Sequence, residues 1–280
     1  MYFELRDIPC FGVAGNFTGH LEQAGEDRDF TSVVVEDANA PKAVFPTYIP
    51  KATEAVPAHL HPFPFDEYRI IFPKGESKVQ IEPECAVICD VSWDGDKVSQ
   101  IKPLVFGASN DCSIRKEGAK KISQKKNWGA SSKGLASNLI KIDKFEKGGI
   151  MDRYRIASFM VRDGIPHVYG EDSAVSDYSY FYEKLIEWMK DKFNNQADAG
   201  PAENINSYLL ECGKPTQFMI SVGATRYSEF GKTNFLKDGD KAIVVLYPGD
   251  VYSFDDIFKR VNSDNLEEDD ISVLMQEVVL

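Results

Sequence analysis

Between Gln80 and Asp111 two apolar runs, Ala86 to Val91 and Ile101 to Phe106, flank the dipeptide Asp94-Gly95. Asp-Gly between apolar stretches is a strong short-range hairpin signal, so the chain is expected to double back here as an antiparallel pair. Glu82-Pro83-Glu84 stands at the outer end of the first run, and Asn110-Asp111 at the outer end of the second. Side chains alternate faces along a strand, which puts Glu82 and Glu84 on one face, roughly 7 Å apart. The hairpin returns Asp111 towards them.

Three carboxylates within about 4 Å of one another repel by roughly 4 kcal/mol per pair at an effective dielectric near 20. Such a cluster must take up protons or hold a cation. All-oxygen ligation suits a hard ion, Mg²⁺, Mn²⁺ or Ca²⁺, with water in the remaining positions. The alternative is a solvated strand edge, which Pro83 favours because proline is confined to edges and bulges.

The formal charge of -12 over 280 residues argues against nucleic acid or an anionic membrane as the main partner, since both reward basic surfaces. Small molecules and proteins remain. Five cysteines form no CxxC pair, and Cys85 and Cys89 lie inside an apolar run, so all five are expected to be reduced. The start, Met1-Tyr2-Phe3-Glu4-Leu5-Arg6-Asp7, lacks the basic-then-apolar order of a signal peptide, and no apolar run is long enough to span a bilayer. A cytoplasmic protein is expected.

Along the chain, Cys10 to Val13 reads as a strand that stops at Gly15-Asn16, followed by a loop and a helical turn containing His20. Glu22 and Gln23 crowd the C-terminal side of that histidine, where an acid or amide can orient the ring or a water. Eight of the fourteen prolines fall between Pro41 and Pro83, which predicts an extended, looped stretch poor in helix. His59 and His61 lie in it and read as surface loop, since no third soft ligand is near in sequence.

After Asp111 the chain turns basic, from Arg115 to Lys126, either as a patch that steers an anion or as a solvated loop. Asn127 to Gly134 reads as a flexible segment that presents Lys133. Strands are expected at Ser137 to Ile142, Tyr154 to Val161 (ending at Asp163-Gly164), Gln217 to Val222 and Ala242 to Tyr247. One helix, from Asp177 as N-cap to about Phe193, shows helical spacing in Tyr178, Phe181, Leu185, Trp188 and Met189. A shorter one runs from Ala202 to Leu210, ended by Gly213 and Pro215. Glu267 to Asp270 is expected to be exposed, and Ile271 to Leu280 to dock on the body or on another subunit.

The order of these pieces resembles the fumarylacetoacetate hydrolase (FAH) superfamily over most of the chain. Gly15-Asn16-Phe17-Thr18-Gly19-His20 is similar to that family's G-x-N-[YF]-x-x-H segment, Glu82-Pro83-Glu84 to its E-x-E strand, and Asn110-Asp111-Cys112-Ser113-Ile114-Arg115 to its N-D-x-S-x-R segment. Lys133 matches the lysine some twenty residues later. Ile220 to Tyr227 and Phe235 to Asp240 resemble its late T-G-T-P and L-x-x-G-D turns. The resemblance implies an α+β fold: a mixed β-sheet core, like the β roll of the FAH C-terminal domain, with a few peripheral helices. It further implies a single catalytic domain over 1–280, with a proline-rich looped segment at about 41–75, and a homodimer.

The resemblance also implies that Glu82, Glu84 and Asp111 bind Mg²⁺ (or Mn²⁺ or Ca²⁺), which chelates a small anionic 2-oxo or β-dicarbonyl acid. Lys133 would neutralise the remaining charge and help hold the substrate with Arg115 and Thr225. His20 would act as base. C–C hydrolysis, decarboxylation or hydration through a metal-stabilised enolate follows. The family hydrolases read H-x-x-E, whereas here Gln23 stands at the acid's place, with Glu22 one residue early and Glu26 three late. Glutamine orients a water but takes no proton from it. That shifts weight towards decarboxylation, and it opens the alternative of a binding or regulatory protein that kept the fold and lost the catalysis.

Overall fold

The structure is a computed structural model and describes residues 3–25, 37, 39–116 and 118–280. In chain order come β1 (Cys10–Ala14), α1 (His20–Ala24), β2 (Ala43–Tyr48), β3 (Arg69–Ile71) and β4 (Val79–Gln80). Then follow β5 (Pro83–Asp94), β6 (Lys97–Asn110), β7 (Ser113–Ile114), β8 (Gly134–Leu135), β9 (Ile140–Lys141), β10 (Tyr154–Arg162) and β11 (Ile165–Ala174). The last part carries α2 (Tyr182–Asn195), α3 (Ile205–Glu211), β12 (Gln217–Ala224), α4 (Glu229–Thr233), β13 (Lys241–Pro248), α5 (Phe254–Asn262) and β14 (Ser272–Val279).

Two mixed sheets make the expected α+β architecture. The first runs β2-β1-β12-β5-β6-β8, with β9 also on β6; the second runs β11-β10-β13-β14-β3. Only β1–β12 and β14–β3 are parallel pairs among these ladders. The Asp94-Gly95 hairpin forms, with Asp94 opposite Lys97 and Pro83 opposite Asn110. Beyond its open end Gln80 pairs with Ser113, so the two arms stay side by side past Glu82 and Asp111.

Alternation places the core. On β5, Val87, Cys89 and Val91 face the core between the sheets, while Ala86 and Ile88 join a second cluster on the other face. On β13, Val244 and Leu246 face inward, and Ile243, Val245 and Tyr247 pack under α5 with Ile257 and Val261. Helix α2 lays Leu185, Met189 and Phe193 on the first sheet, where Phe193 meets Phe11 and Phe218 at 5.0 Å. Fully burying a side chain of that size contributes roughly 1.5–3 kcal/mol. Among the described residues no helix is long and apolar enough to cross a membrane.

Several boundaries differ from the sequence reading. The helix expected from Asp177 begins only at Tyr182, because Asn16 holds the preceding chain extended: its side chain accepts the Tyr180 N–H at 2.8 Å and donates to the Tyr180 carbonyl at 3.0 Å. Helix α3 starts at Ile205, capped by Asn204, whose side chain accepts from the Ser207 N–H. The expected strand at 137–142 shrinks to β9. The stretch 127–134, expected to be flexible, is bonded to the proline-rich segment: Asn127 donates to the Thr47 and Pro62 carbonyls, and the Ser132 and Lys133 N–H groups donate to that of Pro64. Helix α5, with its Ser253/Asp256 capping box, was not foreseen. Residues 271–280 do dock on the body, as the strand between β13 and β3.

Candidate metal centre

The hairpin register builds the site. The Asp111 N–H donates to the Glu82 carbonyl at 3.0 Å, and the Glu82 N–H donates to the Asn110 side chain at 3.1 Å. Asp111 and Glu82 are thereby neighbours at the mouth of the hairpin. Glu84 is aimed by the facing strand. A bulge in β12 between Ser221 and Ala224 lets the Gly223 N–H donate to Glu84 Oε2 at 2.9 Å. Gly223 has φ 128°, a backbone angle that L side chains rarely adopt, so the bulge calls for glycine. The Tyr178 hydroxyl fixes it from behind by donating to the Gly223 carbonyl at 2.7 Å.

One ligand oxygen from each of Glu82, Glu84 and Asp111 lies within 4.8 Å of the others, and all three side chains are buried. A solvated strand edge is therefore excluded. Strand β5 lies between β12 and β6, and Pro83 is accommodated where the β12 register shifts.

Three cations surround the triad. Lys126 Nζ lies 2.5 Å from Glu82 Oε2 and 2.8 Å from Asp111 Oδ2, and only 2% of the residue is exposed. Lys133 Nζ lies 2.9 Å from Asp111 Oδ1 and donates to the Cys112 carbonyl. Arg115 Nη2 lies 2.7 Å from Glu82 Oε1, while its guanidinium also donates to Gln80 and to the Tyr227 hydroxyl, both at 2.7 Å. Strand β7 delivers that arginine, and Lys126 follows the 3₁₀ turn Ile122–Lys125. The Lys126 ammonium rests 5.0 Å from the Phe45 ring centroid, and that ring in turn lies over Gly12, where a Cβ would come within 2.3 Å of it.

The electrostatics sort the carboxylates. Burial by itself would raise Glu82, but the charges of Lys126, then Arg115, and of the His20 ring when it is protonated, hold it well below the usual carboxylate range. Glu84 is pushed well above that range, first by burial and then by the Asp111 and Glu82 charges. Burial also lowers Lys133, against the pull of Asp111. Glu82 Oε1 and both Asp111 oxygens are buried without a directed hydrogen bond although a cation is near each. These oxygens have acceptor capacity beyond their ion pairs. This donor set fits a hard divalent ion: three converging buried carboxylates, of which Glu84 has no ion pair among the described residues.

His20 opens α1 and lines the same cavity as Glu82, Glu84 and Lys126. Its Nδ1 is 2.8 Å from the Thr225 carbonyl, an atom that only accepts, so Nδ1 carries the proton and Nε2 is the basic nitrogen of the neutral ring. Thr225 thus meets His20 through its backbone. Gln23 Oε1 accepts the Tyr227 N–H at 2.7 Å, and Glu22 is exposed, so neither pairs with the ring. Glu26 lies outside the described residues. Of the basic run, Arg115 and Lys126 enter the site, and His59 instead contacts Ser123 at 2.8 Å. Sequence assigned no site role to Lys126, nor to Asn110 and Tyr178, which it read only as part of a motif and of a helical period. The only trace of Lys126 was its place in the basic run, which no spacing distinguishes from its neighbours.

Solved structures with this fold include a 2-keto-3-deoxy-D-arabinonate dehydratase complexed with magnesium and 2,5-dioxopentanoate, at 14% identity over 97% of this chain and 72% of that one, TM-score 0.52. A 5-carboxymethyl-2-hydroxymuconate delta-isomerase from Mycobacterium smegmatis matches at 16% identity, 97% and 78% coverage, TM-score 0.51. A protein from Oleispira antarctica, described provisionally as a fumarylacetoacetate isomerase/hydrolase, matches at 12%, 97% and 93%, TM-score 0.56. Curated protein sequences give no match. The fold is that of the fumarylacetoacetate hydrolase superfamily, with a buried acidic triad able to bind a divalent metal. Residues 26–278 match the Family of unknown function (DUF5718), and the chain belongs to that family.

Proposed function

We propose that the protein is a divalent-metal-dependent enzyme acting on a small anionic 2-oxo or β-dicarbonyl acid, with decarboxylation or hydration ahead of C–C hydrolysis. The observation that carries this reading is the convergence of three buried carboxylates, one of them, Glu84, without an ion pair among the described residues. Glu82, Glu84 and Asp111 would hold Mg²⁺ or Mn²⁺. The bound ion would polarise an oxo group and stabilise negative charge developing on its oxygen. Arg115 and Lys133 balance the carboxylates and keep the site receptive to an anion. His20, with Nδ1 committed to Thr225, presents Nε2 as a proton acceptor. Gln23 is committed to the Tyr227 backbone and supplies no base, which favours reactions that need no strongly activated water.

The test is turnover of oxaloacetate or an acylpyruvate by purified protein with Mg²⁺ or Mn²⁺, expected for the wild type and abolished in Asp111→Ala. Unchanged turnover in that variant would take the metal out of the mechanism.

A binding or regulatory protein without catalysis is the second reading. The cavity bordered by His20, Glu82, Glu84 and Lys126 measures about 20 Å³, room for one or two waters and not for an oxo acid. Thermal shift separates the two. Stabilisation by oxo acids only when a divalent ion is present supports the enzyme; stabilisation by neither supports the binding protein.

A further inference from the structure

Lys126 stands between two of the three carboxylates that would hold an ion. Its nitrogen bridges Glu82 Oε2 and Asp111 Oδ2, while Arg115 faces the other oxygen of Glu82 and Lys133 the other oxygen of Asp111. Every oxygen of this pair therefore has a positive group 2.5–2.9 Å away. Hard divalent ions sit about 2.0–2.6 Å from their oxygens, inside the shell those nitrogens already fill. We infer that the Lys126 ammonium and a divalent ion are alternative occupants of the Glu82–Asp111 pair, and that the ion is admitted as Lys126 withdraws. This rests on the metal reading given above.

Charge and position say which cation yields. With all groups ionised, three negative and three positive side chains balance. Adding a doubly charged ion leaves two uncompensated positive charges in a buried site, whereas replacing Lys126 by the ion leaves one. Of the three, Lys126 alone lines the small cavity with Glu82 and Glu84, on a flexible four-carbon stem with space beside it.

The ion therefore binds to the fraction of molecules whose lysine is out, and its apparent affinity is lowered by that fraction. The resident ammonium also keeps two buried carboxylates compensated before an ion arrives. This gives Lys126 a role distinct from that of Lys133: it sets ion affinity and is displaced in the loaded state.

The experiment is Mn²⁺ binding by the full chain, followed by the electron paramagnetic resonance of free Mn²⁺, for wild type, Lys126→Met and Lys126→Arg. Methionine keeps the length and apolar stem without the charge. Lys126→Met is expected to bind Mn²⁺ at least about tenfold tighter than wild type. Lys126→Arg is expected to bind no tighter. Equal affinity of Lys126→Met and wild type would overturn the competition while leaving the metal site standing. If Lys126→Met does not fold, the wild-type crystal structure with Mn²⁺ decides. Nζ is expected beyond about 4 Å from Glu82 and Asp111, the usual ion-pair limit, and a lysine still in contact beside a bound ion would overturn the proposal. Mn²⁺ bound by none of the folded proteins would overturn both the competition and the metal reading.

Discussion

Asn110 Oδ1 accepts the backbone N–H of Glu82 at 3.1 Å, so a side chain on one strand fixes the backbone from which the opposite ligand springs. The amide nitrogen of Asn110 donates to Gln276 Oε1 at 3.0 Å, and Gln276 belongs to β14 of the other sheet. Both sheets thus brace one end of the carboxylate triad.

Asn110→Ala removes that brace and leaves the Glu82 N–H and the Gln276 carbonyl oxygen buried without their partner. A loss of about 1–3 kcal/mol is expected in urea denaturation. Mn²⁺ affinity should fall in the same variant. Full affinity in a destabilised Asn110→Ala protein would show that the ligands hold their positions without this link.

Tyr178→Phe tests the other end. The hydroxyl donates to the Gly223 carbonyl at 2.7 Å and accepts the Cys85 N–H at 3.2 Å, so its removal orphans two buried backbone groups behind Glu84. Equilibrium unfolding should show a loss of roughly 1–3 kcal/mol, with the fold intact by circular dichroism. A loss of only a few tenths would mean that water replaces the hydroxyl.

Glu203 gives a pH dependence. Burial chiefly, with a smaller push from Asp198, raises its carboxyl from about 4.5 to about 7, against the Ser123 hydrogen bond and the Lys121 charge. For an acid raised on folding, the stabilising form is the protonated one. Its contribution is whole below about pH 4.5 and is lost as pH rises through 7. The loss is roughly 3 kcal/mol. Glu203→Gln keeps an acceptor for the Ser123 hydroxyl and does not titrate, so urea curves at pH 5 and pH 8 should show wild type losing stability relative to the variant. Parallel behaviour of the two would place the titration elsewhere.

Asp240→Ala serves as a contrast remote from the triad. Asp240 accepts from Arg162 Nε at 2.9 Å and Nη2 at 2.6 Å, and from the Lys237 N–H at 2.7 Å. Arg162 is partly exposed, which weakens the pair, so a loss of about 1–3 kcal/mol is expected. Mn²⁺ binding should be unchanged, as measured by titration at a temperature where the variant is folded.

Much of the frame was legible because its signals are local. Asp94-Gly95 between two apolar runs specifies an antiparallel return, and strand alternation then carries both glutamates and Asp111 to one end. The start of α2 was misread because Tyr178 and Phe181 continue a helical period while Asn16, far away in the chain, holds that segment extended. The segment before Lys133 looked flexible from its glycines and serines. The Asn127 side chain instead donates to the Thr47 and Pro62 carbonyls, and the Ser132 and Lys133 N–H groups donate to that of Pro64, all in the proline-rich stretch.

The sequence by itself determined which acids converge, since pleat and turn geometry follow from neighbours along the chain. Arg115 and Lys133 were named there through the resemblance, but the third cation that answers the acids, Lys126, was decided only by the tertiary structure. A buried carboxylate draws its counter-charge from whatever element packs over it, and no period or spacing in the basic run sets Lys126 apart from Lys120, Lys121 or Lys125. Only when the turn at 122–125 seats beside Phe45 does one of those lysines become the competitor for the ion's place.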